Sequence, residues 1–218
     1  ATNFGYTFDN IGIVVSAWLR KVNVTTYARY IFDYRALVGF RLTLEQPPAV
    51  NAIVKQNGNA YDVGFGQDFC APIFNLLRTE NRPQAWEYCS GVPDYDNPLI
   101  DPEQPIRDYL QSVSDSDNQE HQLDLFYDYR NNKAAYREWY LYLETSQIPV
   151  LAVWGEGDPA YASEDAEAYK RHTKNLEIHF LDAGYFVLEI KRSLGLLSLS
   201  VDGILRHVIQ SLVIAALL

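Results

Sequence analysis

Asp33 stands where an apolar run gives way to a helical pattern, and a carboxylate at such a point can act as a nucleophile. The aromatic and β-branched run Tyr27–Phe32 predicts a strand, and small residues typical of a helix follow Asp33 at once. A sharp strand-to-helix turn exposes the side chain at its apex. Attack of that carboxylate on carbon gives an ester bound to the protein. The alternative is that Asp33 only caps the helix.

Two further side chains able to take part in chemistry follow later apolar runs. Asp158 comes after the run Val150–Trp154, and Tyr185 comes after the run Glu177–Leu181. Because the carboxyl ends of parallel strands meet at one edge of a sheet, we expect both residues to lie close to Asp33. The alternative for Asp158 is a simple turn residue before Pro159.

The elements that must position these residues alternate between strand and helix. Apolar spacing predicts helices over Thr7–Val22 and Arg35–Glu45 and a strand over Val50–Gln56. A further helix is predicted over Ser163–His172, with Ser163 at its N-terminus. A strand, a short crossover and a second strand imply parallel pairing.

The middle of the chain has a different composition, rich in Pro, Asp, Asn, Tyr and Trp, and shows no clear strand. We therefore predict an α/β fold: a parallel sheet with helices on both faces and a mostly helical cap insertion. The first part of the core would span 1–61, the insertion 62–147 and the second part of the core 148–218. Within the insertion, helices are predicted over Phe69–Leu77, Pro102–Val113 and Gln119–Tyr142.

Four segments together resemble the α/β-hydrolases of the haloalkane dehalogenase and epoxide hydrolase group, and the resemblance covers about residues 6–189. They are Phe-Asp-Tyr-Arg-Ala-Leu-Val-Gly at 32–39, Val-Trp-Gly-Glu-Gly-Asp-Pro at 153–159, Leu-Asp-Ala-Gly-Tyr-Phe-Val-Leu-Glu at 181–189, and the cap-like Gln-Leu-Asp-Leu-Phe-Tyr-Asp-Tyr-Arg at 122–130.

The resemblance implies a partial α/β-hydrolase fold and a hydrolase acting on a small apolar halide or epoxide, without metal or other cofactor. Asp33 would be the nucleophile, Asp158 the orienting acid, and the Tyr34 backbone N–H a donor to the oxyanion or leaving group. Aromatic residues of the cap would line an apolar pocket; Tyr127, Tyr129 and Trp139 are the candidates. The alternative for these three is ordinary core packing.

The chain departs from the family pattern at two positions of the site. Tyr185 stands where the catalytic His is expected, and a phenol with an ordinary pKa of about 10 is a poor base near neutrality. No motif places His121, His172, His179 or His207 as a substitute. Arg35 replaces a usual Gly, and we expect it to distort the turn or to pair with a carboxylate.

These departures predict impaired catalysis and leave two alternatives open. One is a non-catalytic ligand-binding or interaction protein on a hydrolase fold. The other is a fragment without function. The chain starts at Ala1 and contains no Met, which favours a fragment that lacks the first strands of the family. Strand 27–32 would then expose an edge through which the protein could form oligomers.

Composition excludes other classes of function. The net charge of the 218 residues is −10 with no basic cluster, which argues against nucleic-acid binding. Cys70 and Cys89 lack metal-ligand spacing, and so small a number of cysteines is consistent with the cytoplasm. The apolar tail Ile204–Leu218 is shorter than the roughly 20 residues that span a bilayer, so we predict a buried helix and no membrane association.

Overall fold

The computed structural model describes residues 4–66, 70, 103 and 116–190. Four strands in these ranges form one sheet, in which every neighbouring pair is parallel and the spatial order follows the chain. The strands are β1 (Tyr27–Phe32), β2 (Val50–Gln56), β3 (Val150–Gly155) and β4 (Leu176–Leu181). The predicted parallel α/β architecture is therefore confirmed.

Helices connect the strands and cover the sheet. They are α1 (Phe8–Lys21), α2 (Tyr34–Glu45), α3 (Ser116–Asp128), α4 (Asn132–Ser146), α5 (Glu164–Ala168) and α6 (Val187–Ile190). The first helix begins where the sequence predicts, because the Thr7 hydroxyl accepts a hydrogen bond from the backbone N–H of Asn10 at 3.2 Å.

The predicted helix over Gln119–Tyr142 is wrong in one respect, since the chain forms two helices separated by a 3₁₀ turn at Tyr129–Asn131. Side chains at the junction bond locally. Asp128 accepts a hydrogen bond from the Asn131 amide at 2.7 Å, and the Asn132 amide donates to the Tyr129 carbonyl at 2.9 Å. Such bonds compete with the regular helical pattern.

The predicted helix over Ser163–His172 is also shorter than expected. Regular helix covers α5 only, and a 3₁₀ turn at Tyr169–Arg171 follows it. Ser163 does occupy the N-terminal position, but its side chain makes no capping hydrogen bond. Apart from Cys70 and Glu103, the predicted helices over Phe69–Leu77 and Pro102–Val113 lie outside the described residues.

The main hydrophobic core lies between the sheet and the helices α1, α2 and α4. At its centre the rings of Phe40 and Trp139 stack with centroids 4.7 Å apart, and both side chains are buried. All residues of β3 are buried, as expected for a strand paired on both sides. These contacts fix the strand ends that carry the site.

Strand β1 forms the edge of the sheet that the described residues build, because it pairs with β2 alone among them. Its side chains alternate between buried and half-buried. Association through this edge stays a prediction. No helix within the described ranges is long and apolar enough to cross a membrane, and the tail at 204–218 lies outside those ranges.

Candidate active site at the carboxyl edge of the sheet

Asp33 occupies a strained backbone position between β1 and α2. Its φ of 50° and ψ of −133° are rare for a residue with a side chain, and such a conformation costs on the order of 1–3 kcal/mol. The Asp33 N–H is held by the Asn57 carbonyl at 2.9 Å. Although Asp33 is the first residue before α2, its carboxylate makes no capping hydrogen bond. Capping therefore does not account for this Asp.

Two tyrosine hydroxyls hold the Asp33 carboxylate from the later loops. Tyr161 donates to Oδ1, and Tyr185 donates to Oδ2 at 3.0 Å. Their rings lie nearly parallel, with centroids 6.2 Å apart. The Tyr34 backbone N–H also donates to this carboxylate. The tyrosine hydroxyls and this N–H together orient the carboxylate.

The charge state of Asp33 is set by opposing effects. Burial raises the pKa of its carboxyl group, while the hydrogen bonds from Tyr161 and Tyr185 and the positive charge of Lys55 lower it. The net direction is upward. Asp33 therefore loses its proton at a higher pH than an exposed Asp does.

Arg35 does not disrupt the turn. Its side chain is exposed to solvent, and the backbone at Asp33 keeps its sharp conformation. No ion pair joins Arg35 to a carboxylate within the described part of the chain. The sequence-based expectation of a distorted turn or a new ion pair is thus not met, because the arginine extends outward from the first turn of α2.

Asp158 lies at the end of β3 and is almost fully buried. One of its oxygens accepts a hydrogen bond from the Asn57 side chain at 2.8 Å. The other accepts the backbone N–H groups of Ala160 at 2.8 Å and Tyr161 at 3.1 Å. Burial raises the pKa of Asp158 to about 6, while these hydrogen bonds oppose the shift. The carboxylate thus organises the turn before Tyr161.

Tyr185 reaches Asp33 because the loop after β4 packs closely on the end of β3. A Cβ added to Gly155 would stand 2.1 Å from the Gly184 carbonyl oxygen, so only glycine fits there. Burial and the Asp33 charge raise the pKa of Tyr185 far above its ordinary value. The phenol is therefore a neutral donor and does not act as a base.

The described histidines have partners other than Asp33. His121 stacks on Tyr6, with ring centroids 3.8 Å apart. His172 contacts Glu144 at 2.7 Å, and His179 contacts Glu177 at 2.5 Å. None of these three replaces the missing base, and His207 lies outside the described residues.

The remaining predicted site residues separate into two groups. Tyr34 and Tyr129 lie together near Asp33, with ring centroids 5.4 Å apart, and the Asn59 amide donates to the Tyr129 hydroxyl at 3.3 Å. Tyr127 stacks instead under Arg130, whose guanidinium carbon lies 3.3 Å from the ring centroid. Trp139 is fully buried against Phe40, so its contacts are those of a core residue.

Sequence reasoning overlooked Tyr161, Asn57 and Lys55. All three lie at or beyond the carboxyl ends of β2 and β3. This is the edge of the sheet at which the sequence analysis placed Asp33 and Asp158. The rule that ligands bind at this edge could have identified Asn57 and Tyr161. Lys55 lies inside an apolar strand, where an isolated lysine is itself an unusual signal.

Comparisons with known proteins agree with this architecture. No family model matches the chain. It is 32% identical over 203 residues to an uncharacterized hydrolase of Saccharomyces cerevisiae, YNR064C, with 86% of this chain and 69% of that protein covered.

Two solved structures share the fold. Haloalkane dehalogenase DatA from Agrobacterium tumefaciens superposes with a TM-score of 0.69 at 18% identity, covering 88% of this chain and 70% of that one. The 2-hydroxy-6-oxo-6-phenylhexa-2,4-dienoate hydrolase BphD from a Rhodococcus species gives a TM-score of 0.68 at 12% identity, covering 95% and 74%. With the yeast hydrolase as a relative by sequence and these enzymes as relatives in fold, the chain belongs to the α/β-hydrolase family.

Proposed function

We propose that this protein uses Asp33 as a nucleophile toward a small apolar alkyl halide or epoxide, and that it hydrolyses the resulting ester slowly. The observation that carries the proposal is the conformation of Asp33. The residue adopts a positive φ at the end of β1, and its carboxylate is held by two phenols instead of capping α2. Strain of this kind persists where the surrounding structure enforces it, and it is common at active sites.

The first chemical step needs only the carboxylate and a donor for the leaving group. A carboxylate oxygen of Asp33 attacks carbon, the new C–O bond forms, and the halide leaves with the electron pair of the broken bond. With an epoxide, the ring oxygen takes that electron pair and then a proton from the Tyr161 or Tyr185 hydroxyl, which water reprotonates. The Tyr161 and Tyr185 hydroxyls bond Asp33 before the reaction. As attack removes charge from the carboxylate, these neutral donors become available to the leaving group, and donors placed where charge develops stabilise the transition state.

The second step lacks its usual base. Hydrolysis of the ester requires a water molecule to lose a proton as it attacks the carbonyl carbon. Tyr185 stands at the position of the expected His, and its raised pKa keeps it from accepting a proton. Asp158 already accepts three hydrogen bonds. We therefore expect the ester to accumulate.

A second candidate is ligand binding without chemistry on the same fold. Both oxygens of Asp33 are engaged by phenols, which lowers the reactivity of a carboxylate. The Tyr34 and Tyr129 rings beside it offer an apolar aromatic surface. A small apolar molecule would then bind against these rings and leave Asp33 unmodified.

Intact-mass spectrometry distinguishes the two candidates. The protein is incubated with 1-bromobutane, 1,2-dibromoethane or styrene oxide, and the modified residue is located by peptide mapping. We expect one adduct per chain, located at Asp33 and absent from Asp33→Asn. Asp62→Asn is the matched control, since Asp62 is an exposed carboxylate paired with Lys133 at 2.9 Å. A folded protein that never gains mass would rule out the nucleophile, and thermal stabilisation by the same compounds would then favour binding.

A further inference from the structure

Lys55 places an ammonium group in the interior, directly beneath the turn that carries Asp33. The residue lies in β2 and is fully buried. Its Nζ lies 3.4 Å from the Gln56 carbonyl oxygen and 5.3 Å from the centre of the Trp154 ring. Burying a charge is costly unless opposite charge and hydrogen bonds compensate for it, so this lysine requires an explanation.

Two carboxylates act electrostatically on the Lys55 ammonium. Asp165 of α5 is fully buried and accepts backbone N–H groups from Ala60 at 3.1 Å and from Tyr61 at 2.7 Å. The second carboxylate is Asp33. Burial lowers the pKa of Lys55, whereas the charges of Asp165 and, to a smaller extent, Asp33 raise it. The ammonium thus interacts electrostatically with Asp33 and with a carboxylate that anchors the loop after β2.

Gly58 shows how close the ammonium lies to the turn. A Cβ added at this position would stand 2.6 Å from Lys55 Nζ, 3.0 Å from Asp33 N and 3.1 Å from Asp33 O. A glycine hydrogen is therefore all that fits between the ammonium and the backbone of the nucleophile. Any larger residue at 58 would displace either the lysine or the turn.

We propose that Lys55 is a positioning residue that keeps Asp33 ionised for attack, with the charge of Asp165 stabilising the ammonium. This inference rests on the proposed function of Asp33. Burial alone favours the neutral acid, which is not a nucleophile, and a fixed positive charge nearby offsets that effect. The two phenols on Asp33 act in the same direction but carry no charge.

Other titratable groups also face Asp33, and the test must leave them unchanged. They are Tyr161, Tyr185, Tyr129 and Asp158. Lys55→Met removes the charge and keeps a side chain of similar length, while each of these groups stays in place. The matching readout is the rate of ester formation at Asp33 as a function of pH.

We expect Lys55→Met to move the midpoint of this pH profile upward by about one unit. At pH values below the midpoint, this shift makes ester formation about tenfold slower. The plateau at high pH should remain within about twofold of the unmodified protein, because Asp33 is ionised there in both. A uniform loss of rate at every pH with an unchanged midpoint would mean that Lys55 is merely structural, which overturns the proposal.

A second measurement separates this inference from the proposed function. The Asp33 carboxyl carbon is titrated by NMR in ¹³C-aspartate-labelled protein without any electrophile, with Asp33→Asn used for assignment. An upward shift of its midpoint in Lys55→Met supports the role of Lys55 even if no ester ever forms, and an unchanged midpoint refutes it. Should Lys55→Met fail to fold, Lys55→Gln provides the same test and keeps a polar contact to the Gln56 carbonyl.

Discussion

The Tyr185 hydroxyl donates its hydrogen bond to Asp33, at 3.0 Å, and Asp158 is held separately by Asn57 and two backbone amides. The resemblance to epoxide hydrolases and haloalkane dehalogenases implies a different arrangement, in which a histidine links the acid to the reaction. Here Asp33 and Asp158 belong to two hydrogen-bond networks. They meet at Tyr161, whose hydroxyl binds Asp33 and whose backbone N–H binds Asp158, and at Asn57, whose carbonyl accepts the Asp33 N–H and whose amide donates to Asp158.

Tyr185→His should speed hydrolysis of the accumulating ester and so raise steady turnover. An imidazole at this position is a base with an ordinary pKa of about 6.5 and can activate water near neutrality. Asp158 lies in the adjacent loop and can orient it. The measurement is steady-state halide release from 1-bromobutane together with the fraction of protein that carries the ester.

Tyr185→Phe is the control for this substitution, because it removes the hydroxyl without adding a base. It should form the ester and fail to release product. Turnover in both variants would indicate that loss of the Tyr185 hydrogen bond, and not a new base, limits hydrolysis. If the ester persists in the His variant as well as in the Phe variant, the defect lies elsewhere in the site.

The sequence could predict the parts of the site that depend on local pattern. The run Tyr27–Phe32 and the small residues after Asp33 define the turn, and the β2 bounds match the predicted strand. The partners of Asp33 could not be predicted in the same way. Tyr161 lies 128 residues from Asp33 along the chain, and only the register of β1, β2 and β3 brings them together.

The predicted helix boundaries were wrong where side chains form hydrogen bonds with the backbone. The apolar periodicity predicts an unbroken helix through Tyr129–Asn131. It cannot predict the tertiary contact of the Asp128 carboxylate, which accepts the Phe8 N–H at 2.8 Å. That contact spans 120 residues. A tertiary interaction of this kind overrides a helical pattern whose local propensity is modest.

Asp158→Asn should change how stability depends on pH. The pKa of Asp158 is about 6 in the folded protein and near 3.8 when exposed, so the unmodified protein loses stability as pH rises through this window. A shift of about two units corresponds to about 3 kcal/mol, and the variant should lack that change. Urea unfolding of both proteins at several pH values measures it.

This test compares how steeply the free energy of unfolding changes with pH in the two proteins, and not their absolute stabilities. Asn at 158 places an amide where the Asn57 amide already donates, and this mismatch lowers stability equally at each pH. Parallel curves of unfolding free energy against pH for the two proteins would contradict the raised pKa.

Gly155→Ala should destabilise the fold and disturb the site. The new Cβ would stand 2.1 Å from the Gly184 carbonyl oxygen and 2.8 Å from that of Ala183, so the loop carrying Tyr185 must move. Overpacking against backbone costs on the order of 1–3 kcal/mol. Thermal unfolding and the yield of Asp33 ester should both fall.

Gly12→Ala is the matched control for this substitution. A Cβ at Gly12 would meet Arg41 at an ordinary 3.5 Å, and alanine inside α1 favours the helix by roughly 0.5–1 kcal/mol over glycine. The midpoint of unfolding should therefore rise slightly and ester formation should not change. Equal losses in the two alanine variants would show that the close packing at Gly155 is not the cause.

Trp139→Ala and Tyr127→Ala together test which aromatic residues of the predicted cap pack in the hydrophobic core and which line a pocket. Trp139 is fully buried and stacks on Phe40, so truncation should cost about 3–5 kcal/mol. Tyr127 is half-buried and contacts Arg130, so its loss should cost less than about 1 kcal/mol. Chemical denaturation of the variants gives both values. A small loss for Trp139→Ala accompanied by weaker ligand binding would restore Trp139 as a pocket residue, because a side chain that lines a cavity has fewer packing contacts to lose.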